Sequence, residues 1–181
     1  MNQRLLGVGG MLIGGLWLGA PAYGCDYAGP ATPSLETRVY RHPQLGFSFD
    51  IPANYRAMGT RLGTVEFHDP ATFSHIQCLV NTQSFPQLPP GTTLEVRPAM
   101  ATADLITQVQ RILPWLVLHR PSYEQVTAGL GQAVIFRYTH HIHGTEMKSL
   151  TFLSADQSFL ITLESPAGAA VIPLVLETLR L

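Results

Sequence analysis

The sequence predicts an α+β domain, an antiparallel β-sheet flanked by helices. Strand-type alternation comes in consecutive runs, "GFSFDIP", "TVEFHDP" and three more between Gly131 and Ser165. Helix-type apolar stripes fall in separate segments, near 105–116 and 171–178. Strands in runs with helices apart from them favour this class over a parallel sheet, whose strands and helices would interleave.

The chain opens with Met1-Asn2-Gln3-Arg4 and an apolar, Gly-rich stretch from Leu5 to Ala20, followed by "PAYGC". One positive charge, a short greasy core and small residues before a cut describe a secretory signal, residues 1–24, rather than a membrane span. Cys25 has three open fates. Gly24-Cys25 resembles the end of a bacterial lipobox, which would make Cys25 a lipidation site; Cys25 pairs with Cys78 in an oxidising compartment; or both thiols stay free. Residues 25–37 are expected as a flexible Pro/Ala-rich tether, leaving 38–181 as one domain.

Within that domain, "RVYRHPQLGFSFDIPANY" reads as a strand, a Pro/Gly turn and a second strand, with Phe47, Phe49 and Ile51 on one face. In "GTVEFHDPATFSHIQCLVNTQ", Val65 and Phe67 alternate with polar residues, "DPAT" supplies turn chemistry, and Ile76, Cys78 and Val80 continue the alternation as a paired strand. The proline-dense "SFPQLPPGTTLEVRPAMAT" has no sustained period and is expected as a long connection. A helix follows, with Thr102 as N-cap, Asp104 in its first turn and a stripe through Leu105, Val109, Ile112 and Leu116. Pro114 breaks it. Three strands, "GQAVIFRYTHHIH", "EMKSLTFLSA" and "SFLITLES", form a meander, with Gly144-Thr145 as a two-residue hairpin loop. Ser165-Pro166 then starts a C-terminal helix with Val171, Leu174, Val175 and Thr178 on one side, and "LRL" ends extended.

Eleven basic and twelve acidic residues nearly cancel, and Lys148 is the single lysine. No dense basic patch supports nucleic-acid binding. No nucleophile elbow, zinc-protease motif, phosphate loop or suitably spaced carboxylate pair supports catalysis, and Cys78 in an apolar run reads as an inert small hydrophobe.

Two clusters carry metal-ligand chemistry. On an extended strand His141 and His143 face one way, roughly 6.6 Å apart along the chain, and Glu146 joins them across the turn, giving a two-nitrogen, one-oxygen set suited to zinc. The plain alternatives are a solvated hairpin tip or a pH-sensitive patch. His68, Asp69 and His75 make the second cluster, with Asp69 before Pro70 equally suited to a turn hydrogen bond. Phe85 and Leu88 in the Pro-rich loop are candidate partner contacts, or pack within the loop itself.

The element order, together with "LGFSFDIPANY" and "VEFHDPATFSHIQCLVN", resembles the PsbP family and its relatives of the DcrB type. Tyr55 stands where that family usually has tryptophan, and "ETLRL" replaces a commoner Ser-Phe ending. The resemblance implies an α-β-α sandwich acting as a non-catalytic, lumenal, extrinsic protein of photosystem II in a cyanobacterium. It further implies photosystem II subunits or assembly intermediates as partners, and calcium as an ion to be retained. A DcrB-like envelope lipoprotein with a structural or recruiting role, and a zinc-binding exported protein, are the alternatives.

Overall fold

The structure is a computed structural model that describes residues 25–83, 91–101, 103–119, 121–128, 131–140 and 144–181. The signal segment, Thr102, the contacts expected of Phe85 and Leu88, and the imidazoles of His141 and His143 lie outside the described residues.

The opening hairpin forms from β1 (Thr37–Arg41) and β2 (Ser48–Pro52), registered Thr37 to Pro52 and Arg41 to Ser48. Phe47, Phe49 and Ile51 are all fully buried, as their alternation requires. The chain then enters a seven-stranded antiparallel sheet through β3 (Arg56–Gly59) and β4 (Val65–His68).

After β4 comes a helix rather than the expected strand. α1 (Pro70–Asn81) begins at N-cap Asp69, whose carboxylate accepts from the amides of Ala71 and Thr72. Aspartate at the cap followed by proline at the first helical position is helix-start chemistry, so "DPAT" is a cap rather than a turn between strands. The alternation of Ile76, Cys78 and Val80 gives way to helical spacing, with Ile76 and Leu79 buried and Val80 exposed.

The expected long connection contains a central strand, β5 (Thr92–Pro98), paired on one side with β4. α2 (Leu105–Ile112) follows, capped by Asp104 itself, which accepts from Thr107 N and Oγ1. Pro114 ends the helix and opens a 3₁₀ turn, Pro114–His119. Then come β6 (Ser122–Ala128), β7 (Gly131–Thr139), β8 (Glu146–Leu153) and β9 (Phe159–Pro166), in sheet order β3-β4-β5-β9-β8-β7-β6. β9 runs through Ser165 and Pro166, and Ser165 Oγ meets Thr92 Oγ1 at 2.6 Å inside the core. The Ser165-Pro166 pair therefore belongs to a strand, and α3 (Val171–Thr178) starts later with no side-chain cap.

One face of the sheet, through Phe67, Leu94, Ala133, Ile135, Leu150, Phe152, Ile161 and Leu163, packs against Phe47, Phe49 and Ile51 of the hairpin and Val171, Ile172 and Val175 of α3. The opposite face, through Phe136, Tyr138 and Met147, receives Val109 of α2 and Leu116. Among the described residues this is an α+β fold of antiparallel sheets with three α-helices. No helix among the described residues is long and apolar enough to cross a membrane.

Candidate functional site

A cavity of about 580 Å³ opens at one end of the sheet, where β4 and β9 finish and β5 begins. Tyr55, Phe67, His68 and Thr92 line it from the hairpin exit and the strands, and Pro166 from the end of β9. Thr145, from the loop joining β7 to β8, lines it too, so the two histidine-bearing stretches singled out in the sequence come to the same end of the molecule.

Part of the remaining wall is the segment expected as a flexible tether, beside the start of α1 and the residues before α3. Residues 25–36 instead lie against the domain. Ala31 N donates to Asp69 Oδ1 at 2.7 Å, Tyr27 Oη meets Thr72 Oγ1 at 2.9 Å, and the Tyr27 ring stacks on His75 with centroids 4.8 Å apart. Asn54 secures the far end, accepting from Ser34 N and donating to Thr32 O. At the near end a disulfide joins Cys25 to Cys78, with Cα atoms 5.7 Å apart. A lipid thioether at Cys25 would need the same sulfur, so the disulfide and lipidation exclude each other.

Asp69 is the most heavily bonded group here. Burial raises its pKa, but hydrogen bonds from the Thr72 side chain and from the amides of Ala31, Thr72 and Ala71 outweigh that and hold it below the ordinary carboxylate range. Burial, and then the charge of Asp69, raise the pKa of Tyr55. His68 is buried, with Nε2 2.8 Å from Glu66 Oε2.

His68, Asp69 and His75 therefore have separate tasks. His68 pairs with Glu66, Asp69 caps α1, and His75 carries the Tyr27 ring. Among the described residues no three histidine, cysteine, aspartate or glutamate side chains are placed to hold a metal ion. Glu146 is exposed and lies 3.8 Å from Arg137. Its strand pairs Glu146 with Thr139, so the connection spans 140–145 and is longer than the expected Gly144-Thr145 loop. His140 N donates to Thr145 O and Gly144 N to His140 O, with Gly144 at φ +63, a conformation glycine adopts without strain.

Sequence reasoning missed a second polar group, Glu164 of β9, partly buried on the opposite sheet face beside Tyr138. Burial raises the Glu164 pKa; the Tyr138 hydroxyl donates to the carboxylate and pulls it back, Ser149 pulls the same way without completing a hydrogen bond, and Glu95 pushes it up. Tyr138 is itself raised, first by burial and then by the charge and hydrogen bond of Glu164. The available signal was the run of Ser149, Thr151, Thr162 and Glu164 on one face of two strands whose other face is Leu150, Phe152, Ile161 and Leu163.

No protein family matches the chain, and none of the curated proteins does. Among solved structures, the chain is similar to a crystal structure from Bacteroides thetaiotaomicron, at 14% identity and a TM-score of 0.46, over 79% of this chain and 47% of that one. This chain thus spans about half the length of that protein. It is also similar to the solution structure of cyanobacterial PsbP (CyanoP) from Synechocystis, at 11% identity and a TM-score of 0.46, over 82% of this chain and 88% of that one.

Proposed function

We propose that the protein is a non-catalytic binding protein, exported and working as an extrinsic accessory of photosystem II in the thylakoid lumen, where it supports the oxygen-evolving centre or its assembly. The observation that carries the reading is "LGFSFDIPANY", which resembles the opening of the PsbP family. Its Phe47, Phe49 and Ile51 seal one face of the sheet, so the resembling residues are those that form the core.

Binding rather than turnover is supported by the state of the cavity's ionisable groups. Asp69 accepts four hydrogen bonds as the cap of α1, and these hold its carboxylate ionised rather than poised to pass a proton to or from a substrate. The apolar leader and a disulfide suited to an oxidising compartment support export. The reading needs no resident ion.

The test is affinity capture of the full chain from the membranes of its host, with oxygen evolution measured in a deletion strain under calcium and chloride limitation. Co-purification with photosystem II or its assembly intermediates, and impaired evolution on deletion, are expected. Failure of both removes the proposal. A host without photosystem II transfers the protein to the envelope, as a DcrB-like structural or recruiting protein.

A further inference from the structure

The segment from Cys25 to Ser34 is bound to the domain in an ordered way. Thr72, His75 and Cys78 lie three residues apart on α1 and so share one helix face. That face is met in reverse chain order: Cys78 by Cys25, His75 and Thr72 by Tyr27, and Asp69 at the helix start by Ala31. Residues 25–33 thus form a strap running antiparallel to α1. None of the strap is in a strand or helix, so no hydrogen-bond ladder reinforces it. Tyr27, Pro30, Ala31, Thr32 and Pro33 of this strap line the cavity together with Thr92 and Thr145 of the domain.

We infer that the Cys25–Cys78 bond is a redox latch on the strap, and that its reduction by a dithiol releases the strap and exposes the cavity behind it. Both cysteines are only partly buried, so a thiolate has access to the sulfurs. One thiolate of the reductant attacks a latch sulfur, the S–S bond breaks and a mixed disulfide forms. The second reductant thiol then displaces that sulfur. The reductant ends as a disulfide, and Cys25 and Cys78 as two thiols that have gained two electrons and two protons. With the covalent end released, the strap is held by isolated, partly exposed hydrogen bonds and one ring stack, and local opening becomes far cheaper than global unfolding. Opening leaves Tyr55, Thr92 and Pro166 facing solvent. This inference concerns access to the cavity and stands whether or not the partner is photosystem II.

The experiment compares the full chain, expressed for export, before and after dithiothreitol, and beside a Cys25→Ser, Cys78→Ser variant. Amide exchange at Ala31 is expected to accelerate by at least about tenfold on reduction, with Leu150 and Ile161 unchanged. Binding of anilinonaphthalene sulfonate is expected to rise in both the reduced and the double-variant protein. An Ala31 amide that exchanges at the same rate in both redox states overturns the latch. Equal acceleration at Leu150 and Ile161 does so as well, because the bond then holds the whole fold rather than the strap. A mature Cys25 found as a lipid thioether removes the latch outright.

Discussion

Glu164 shows what one carboxyl contributes to a sheet face where its polar neighbours on β8 and β9, Ser149, Thr151 and Thr162, are uncharged hydroxyls. Its folded-state pKa is raised, so the folded protein binds this proton more tightly than the unfolded chain. The resulting stability is present below the unfolded value near 4.5 and is lost as pH climbs through the folded value. Glu164→Gln keeps an acceptor for the Tyr138 hydroxyl and removes the partly buried charge. We expect it to raise the melting temperature by about 2 °C or more at roughly pH 8, and to have no effect at about pH 4. A variant less stable than the parent at the higher pH would mean that the surrounding hydroxyls stabilise the carboxylate by more than its burial costs. Asp69 is the opposite case, a carboxylate held ionised by its donors. The candidate metal set around it was visible in the sequence as a cluster, but neighbours at a strand–helix junction point in different directions. His68 ends a strand, Asp69 caps a helix, and His75 stands nearly two turns along it, so closeness in sequence did not become a converging set.

Among the elements, α3 and the residues just after it are tied to the opening hairpin by shared apolar packing, one hydroxyl, a short bridge and the ion pair of Arg180 with Asp50. Thr178 Oγ1 donates to Leu174 O at 2.7 Å and accepts from Asp50 N at 2.9 Å, while Ser48 and Arg180 exchange backbone hydrogen bonds. Thr178→Val preserves shape but leaves the Asp50 amide without its acceptor. The expected loss is about 1–2 kcal/mol, measured by urea unfolding, with the hairpin amides exchanging faster than those of β8. No change in stability would show that water replaces the hydroxyl at this site. The elements legible in the sequence were those whose period matched their burial: β2, β7, β8, β9 and the stripe of α2. α1 was misread because "HIQCLVN" alternates like a strand, while Asp69-Pro70 decides the helix from outside that window. β5 was hidden because prolines surround it, yet Thr92 and Leu94 bury alternately in the middle of the sheet. β3 and β6, the two edge strands, are mostly exposed and carry little apolar signal.

For the molecule as a whole, the disulfide fastens an irregular segment to a fold whose remaining stability comes from the two sheet faces. If the bond acted only on the unfolded chain, closing its 53-residue separation would account for about 4 kcal/mol. That figure assumes the strap stays docked in the reduced native protein. A strap free to leave gives the reduced native state extra conformations, which returns part of the stability lost when the unfolded chain is released. The reduced protein should therefore unfold cooperatively, with a loss smaller than the chain-entropy figure, about 2–3 kcal/mol by denaturant titration. The slope of the transition should also fall, because less surface remains to be exposed once the strap is already solvated. A full loss with an unchanged slope would mean that the strap stays docked without its bond. Tyr27, Ala31 and Asn54 would then be the true fastening, and the cysteines only a reinforcement.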